Sequence, residues 1–343
     1  MKYISSKKII ISSIMLFSAL FAASARKPSK KSSVNFTDDL GRKVSVQKTE
    51  NAAVLQGSLA SLWILAGGKM VAATTDCFVE PPEMTKDQAE SFNSKWATSG
   101  FSAHKKGIFE YLGCDSKNIE DIGPMMSPSA EKIIASGADF AIMSANITGH
   151  KKIMSLLENA GIKCAFFNYD DFNSYLRIMQ ILTDITGKSD LYKKNALSQK
   201  SKIEKIISLS KSKTPPTILA LRSSSGKVEA KSSDNLSLAA MLRDIGCKNI
   251  ADTDSYYKEN LSMEKIISDD PDFIFVATMG TNEEKALKYI EENLNSHPAW
   301  KDLKAVKNGN YYILPRELFH FKPGTRWGES YEVLFRIVYG TNE

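Results

Sequence analysis

The sequence predicts an α/β protein of two Rossmann-like lobes, each on a central, mainly parallel sheet, joined by a long bridging helix. Three observations predict it. Short apolar strands alternate with helical patterns along most of the chain, and that alternation implies parallel pairing through crossovers. A mid-chain stretch, residues 171–211, carries apolar residues at helical spacing. On either side of it lie two near-copies of one helix–strand unit, SAEKIIASGADFAI at 129–142 and SMEKIISDDPDFIF at 262–275.

The elements follow in order. Residues 1–8 hold Lys2, Lys7 and Lys8 and no acid, 9–22 are apolar, and Ala23-Ser24-Ala25 is a small-x-small pattern. These are the three regions of a secretory signal peptide. The apolar run is short for a bilayer and is interrupted by Ser12, Ser13 and Ser18. Cleavage near Ala25 is therefore expected. No cysteine lies there to carry a lipid, so the expected product is periplasmic, monomeric and without stable membrane insertion. Residues 26–33 (RKPSKKSS) read as a linker.

The first lobe is expected over 34–170. Residues 34–46 (VNFTDDLGRKVSV) alternate around a turn and read as a hairpin. Strands at 53–55 and 70–74 flank a helix at 58–65. A helix at 129–136, a strand at 139–143, a helix at 150–160 and a strand at 162–167 complete it. The bridging segment is expected over 171–214, with Leu176, Met179, Ile181, Leu182 and Ile185 at helical spacing, a break near Thr186-Gly187-Lys188, and a stop at Pro215-Pro216. A straight helix of that length would extend roughly 60 Å; a bent pair is equally compatible. The second lobe is expected over 215–343: strands at 217–221, 273–277 and 311–314, and helices at 236–245, 263–267, 285–293 and 325–339.

Composition excludes several functions. The formal charge of +6 falls to +3 once the three leader lysines are removed, too mild an excess for a nucleic-acid binder. The four cysteines, Cys77, Cys114, Cys164 and Cys247, form no CxxC pair. Cys164 and Cys247 read as buried thiols, and Cys77 with Cys114 is the pair to test for a disulfide. The four histidines have no paired spacing, which argues against direct capture of a free metal ion. Ser223-Ser224-Ser225-Gly226-Lys227 looks superficially like a phosphate loop, but Leu221 stands at its first glycine and Val228 at its hydroxyl position. No GxSxG or HExxH occurs, so no enzyme activity and no cofactor are expected.

Four stretches together carry a family resemblance: Asp39-Leu40-Gly41-Arg42, the paired EKII helices, HPAWKDLKAVKNGNYYIL at 297–314, and FHFKPGTRWGESY at 319–331. The chain resembles the periplasmic binding proteins for iron-siderophores, haem and vitamin B12. The resemblance implies two lobes bridged by a rigid helix, closing modestly on a ligand and presenting it to the membrane subunits of an ABC importer. In the vitamin B12-binding protein one glutamate on each lobe projects toward arginines of the transmembrane subunits; the matching residues are Glu131 and Glu264. The helix dipole also favours glutamate in a first turn, but it does not account for recurrence at one place in both halves.

Ligands of open α/β sheets sit beyond the carboxyl ends of strands. The candidate ligand-binding residues there are Cys77, Phe78, Met125, Met126, Ser144 and Asn146 in the first half. Those of the second are Arg222, Ser223, Tyr256, Tyr257, Phe319, His320, Lys322 and Arg326. Met125, Ser144 and Lys258 stand where the vitamin B12-binding protein has cleft tryptophans, which disfavours a corrinoid. Arg222, Lys322 and Arg326 suit the carboxylates of a ferric siderophore or haem. The two methionines also read as core filler, Trp327 as packing, and His320 as either structural or cleft-lining. A corrinoid, a free metal ion, and a lobe pair serving a sensor stand as alternatives.

Overall fold

The computed structural model describes residues 33–78, 115–253, 262–280, 283–320 and 322–340. Tyr256, Tyr257, Lys258 and Cys114 fall outside them, as does the expected leader. Strands β1 (Ser33–Thr37) and β2 (Lys43–Gln47) pair antiparallel, as the alternation predicts. Buried Asp38 accepts from the backbone N–H groups of Leu40, Arg42 and Phe166 and from the Arg42 side chain. Arg42 in turn donates to Glu158 at 2.9 Å and to the Cys164 carbonyl at 2.8 Å. The DLGR turn thus staples the hairpin to the first sheet.

That sheet follows: β3 (Asn51–Val54), α1 (Gly57–Leu65), β4 (Lys69–Ala73), β5 (Glu120–Asp121), α2 (Ala130–Ala135), β6 (Phe140–Ser144), α3 (Thr148–Asn159) and β7 (Lys163–Phe167). Its order is β5-β4-β3-β6-β7, and every pairing is parallel. All five residues of β6 are buried, as expected for a strand covered on both faces.

The helical segment is the bent alternative. Helix α4 (Phe172–Thr186) starts at an Asp171–Ser174 capping box and ends at Gly187, whose φ of 73° is left-handed. A second run then links α5 (Ser189–Tyr192), a π turn (Lys193–Leu197) and α6 (Ser198–Ser210) without a break; at 1.5 Å per residue it is about 33 Å long. The π turn displaces carbonyls from the helical ladder, and the Tyr175 hydroxyl donates to one of them, Asn195 O, at 2.7 Å.

The second sheet comprises β8 (Thr217–Ser224), β9 (Lys227–Ala230), α7 (Ser237–Asp244), β10 (Lys248–Asn249), α8 (Ile250–Thr253), α9 (Met263–Asp269), β11 (Phe273–Thr278), α10 (Glu283–Ile290), α11 (Lys304–Lys307), β12 (Tyr311–Leu314), α12 (Arg316–Phe319) and α13 (Trp327–Tyr339). Its parallel order is β10-β8-β11-β12, and β9 folds back antiparallel on β8. The SSSGK stretch is therefore the turn of a hairpin, with Ser224 opposite Lys227. Sequence alternation alone missed β9.

One apolar core runs from Val44 to Ile337 and takes in one face of each sheet together with α4, α6 and α13. Separate cores close the outer faces, around Leu55, Ile133 and Phe166 in the first half and Leu219, Ile266 and Trp300 in the second. Trp327 is the keystone between α4 and α13. It is 1% exposed, donates to the Tyr169 hydroxyl at 3.0 Å, and packs among Tyr169, Phe172 and Tyr175.

Candidate ligand-binding site

A cavity of about 600 Å³ opens at the carboxyl ends of β8 and β11. Arg222 enters from β8, Ala277 and Met279 from the end of β11, Ser233–Ser237 and Arg243 from the loop into α7 and α7 itself, Phe319 from the end of α12, and His320 and Lys322 from the segment after it. Asp170 and Asp171, just after β7, close the opposite rim. This is the position that strand geometry prescribes for ligands in such sheets.

Charge is unevenly spread over this surface. Three acids and three bases line it, but the acids are largely committed. Asp171 caps α4 through Ser174 N, Asp234 holds Arg243 at 2.7 Å, and Asp170 is solvent-exposed. The corner at His320 is the positive one. Burial first, then the charges of Arg316, Lys322 and Arg222, press the His320 pKa down to about 4. The ring is therefore neutral at pH 7 and presents lone-pair density as well as an N–H. Lys322 donates to the Asp170 carbonyl at 2.6 Å and lies 5.8 Å from the centre of the Tyr169 ring. Burial lowers its pKa, and the cost of burying an ammonium leaves it receptive to an anion.

Arg222 is aimed by a neighbour. Glu229 on β9 accepts from it at 2.8 Å and also pairs with Lys227 at 2.7 Å and Lys231 at 3.0 Å. Three cations on one carboxylate hold its pKa at about 2, with the Lys227 hydrogen bond the largest cause. The group stays ionised, yet the cluster keeps a surplus of positive charge beside the cavity.

Of the expected residues, the structure brings Arg222, Phe319, His320 and Lys322 to this cavity. It corrects others. Arg326 is 8% exposed and closes a two-point pair with Glu329 at 2.6 and 2.7 Å; it anchors the entry to α13. Ser223 is fully buried and donates to the Ala286 carbonyl. Cys77 is a free thiol, 1% exposed, with its pKa raised by burial. Phe78 packs, half-buried, against the main core. Ser144 is buried at the end of β6, and Asn146 is exposed beyond it. Met126 is 64% exposed and so is not core filler.

The Met125–Met126 loop is fixed by a histidine that the sequence showed only as a helix residue. His150, fully buried, accepts at Nδ1 from Ser144 N at 2.9 Å, which leaves its Nε2–H to donate to Met125 O at 2.8 Å. Burial lowers its pKa, consistent with this neutral tautomer. Gly149 allows the approach, because a Cβ there would lie 2.0 Å from Met126 O.

Sequence reasoning missed Asp170, Asp171, Arg243, Met279 and residues 233–237. The polar run Ser232-Ser233-Asp234-Asn235 is a turn signal, and it could have marked a loop at a strand end. Glu131 and Glu264 occupy matched places. Ser129 and Ser262 each cap a short helix by accepting from the N–H three residues on, both at 3.3 Å, and both glutamates lie exposed in the first turn. Among the described residues no group of three His, Cys, Asp or Glu side chains could hold a metal ion, and no helix is long and apolar enough to cross a membrane.

Comparison with known proteins adds the family. The family described as "Periplasmic binding protein" matches residues 96–318, more than half the chain. The Fe(3+)-citrate-binding protein YfmC of Bacillus subtilis is 27% identical over 66% of this chain and 69% of its own length. The putative ABC transporter substrate-binding lipoprotein YhfQ of the same organism is 24% identical over 92% of this chain and 93% of its own. Among solved structures, Staphylococcus aureus SirA complexed with staphyloferrin B superposes with a TM-score of 0.64 at 18% identity, covering 89% of this chain and 98% of SirA. S. aureus IsdE complexed with heme gives 0.62 at 15% identity, covering 85% of this chain and 99% of IsdE.

Proposed function

Because the chain belongs to the periplasmic binding protein family, we propose that it captures an iron complex, a ferric siderophore or haem, outside the cytoplasm and delivers it to an ABC importer. The observation that carries the ligand class is the positive corner that Arg222 and Lys322 form around the neutral His320 ring in a cavity of about 600 Å³. Arginine offers a planar fork for carboxylates, and lysine a mobile point charge. A ferric chelate with carboxylate arms would place its anionic edge there. The neutral His320 ring could also reach an iron with an open position.

Delivery follows the family's general scheme. Ligand enters the open form, and closure favours the state that docks on the membrane subunits, so the protein contributes affinity and a state-dependent surface. Glu131 and Glu264 are the proposed docking contacts; exposed charges of this kind set orientation and on-rate.

Binding is tested by titrating ferric citrate and hemin into the purified chain, followed by tryptophan fluorescence and visible absorption. Submicromolar binding of one of them is expected. Arg222→Ala should weaken it about tenfold or more, the loss of one charge-assisted hydrogen bond. A wild-type protein that binds neither compound below micromolar concentrations, nor a panel of ferric siderophores, defeats the iron-complex reading.

A further inference from the structure

The bridging run α5–α6 carries a charge that its place in the fold does not require. Residues 189–213 hold seven lysines, no arginine and two acids, Asp190 and Glu204, for a net +5. The chain from residue 26 onward carries +3, so all of it outside this run sums to −2. Positive charge is gathered on one element of an otherwise slightly acidic molecule.

The inner face of α6 is fully used. Gln199, Ile203, Ile206 and Ser210 are buried, and Gln199 accepts from the backbone N–H of Gly328 on α13 at 3.0 Å. The lysines occupy the rest of the circumference: Lys193, Lys194, Lys200, Lys202, Lys205 and Lys211 are all exposed. Two have only loose partners, Lys193 with Asp190 at 3.5 Å and Lys200 with Glu204 at 3.8 Å. Among the described residues, Lys194, Lys202, Lys205 and Lys211 enter no ion pair. Lys48, exposed at the end of β2, reaches within 3.7 Å of a notional Cβ on Gly187, where the run begins. A cation from a distant part of the chain thus extends the row.

Helix stability does not explain the set. Lys202 and Lys205, three residues apart, are a like-charge pair that weakens the helix, whereas an acid at either place would form a favourable pair. The use of lysine without arginine points to the kind of partner. Guanidinium forks read discrete carboxylates and phosphates, while mobile ammonium groups suit a surface of spread negative charge. A row about 33 Å long matches a plane better than a pocket.

We propose that the solvent face of α5–α6 binds an anionic phospholipid surface through charge alone. This goes beyond the importer reading and does not depend on the ligand; only the choice of a membrane over a soluble polyanion rests on that reading, because an importer is a membrane assembly. Attraction to the surface raises the local concentration of the protein beside a membrane-embedded partner and speeds their encounter.

The test sediments the purified protein with vesicles of phosphatidylcholine containing about one-third phosphatidylglycerol, at roughly 0.05 M salt. Binding is expected there, with none to phosphatidylcholine alone, and with release at about 0.5 M salt, where screening acts within a few ångström. Lys194→Gln, Lys205→Gln and Lys211→Gln together should weaken binding about a hundredfold, at roughly fivefold per lysine near such a surface. Glutamine is close to lysine as a helix former, so this variant keeps its fold, which circular dichroism checks. Lys151→Gln, Lys152→Gln and Lys163→Gln, exposed in the first half, make the same change in net charge elsewhere and should leave binding nearly unaltered. No binding to the anionic vesicles, equal losses in the two triple variants, or tighter binding to duplex DNA than to the vesicles overturns the proposal. Failure of ferric citrate and hemin to bind the wild type would count against the ligand assignment alone, because vesicle binding needs no ligand.

Discussion

His320 shows how one residue couples the site to solution conditions. Its pKa in the folded protein, about 4, lies below the ordinary value of 6.5, so between those two values the unfolded chain binds more protons. The stabilisation is therefore full above pH 6.5, drains as pH falls toward 4, and changes no further below it. Its ceiling is about 3 kcal/mol for a shift of that size. Urea unfolding at pH 7.5 and pH 4.5 should show the loss, and His320→Gln should reduce it; an unchanged difference would show that His320 is not its source. His150 pushes in the same direction, so some pH dependence will remain in that variant. The sequence marked His320 only by its place near the last helix. Neutrality at pH 7 comes first from burial and then from the charges of Arg316, Lys322 and Arg222, which two segments distant in sequence bring together.

Among elements, the break between α4 and α5 decides the shape of the bridge. Gly187 at a φ of 73° ends α4, and its open surroundings hold only the Lys48 side chain, 3.7 Å from a notional Cβ. Gly187→Ala therefore tests backbone strain with little steric confusion. A loss of about 1 kcal/mol is expected in chemical denaturation, the cost of left-handed backbone for a residue with a side chain. No loss would mean that this junction relaxes freely. Helices, strands and the twin units were legible because periodicity and caps are local: Ser129, Ser262 and Asp171 stand in the sequence where the caps form. Strand β9 was not legible. Its four residues, KVEA, show little apolar signal, and they form a strand because β8 offers an open edge beyond the two residues paired with β10.

At the scale of the whole molecule, the candidate cavity and the helices proposed for docking are distinct surfaces, and they should fail separately. Replacing Glu131 and Glu264 together by arginine reverses both docking charges and touches no cavity-lining residue. Uptake by cells carrying that double variant should fall to background while ligand affinity in solution is retained; normal uptake would sink the docking assignment. Trp327 ties the halves instead. Trp327→Ala should cost about 3–5 kcal/mol of stability, as expected for emptying a large buried aromatic site, and a cost under about 1 kcal/mol would show that the surrounding rings collapse into the space. The two-lobed plan could be read from the repeat, because it needs only pattern. The cavity lining could not: it draws Asp171 from one half and Arg243 from the other, and no local pattern announces contacts across some seventy residues.

The three thiols among the described residues have a practical consequence. Cys77, Cys164 and Cys247 are all buried and unbridged, with burial raising each pKa, to about 12 for Cys164 and Cys247. At neutral pH they hold almost no thiolate, the form that maleimides and iodoacetamides attack. With Cys114 changed to serine, the folded protein becomes a quiet background for reporter dyes. A cysteine introduced at 134 and another at 267 would be the fast-reacting sites, and energy transfer between them would report whether the distance between the two helices changes when ferric citrate or hemin is added.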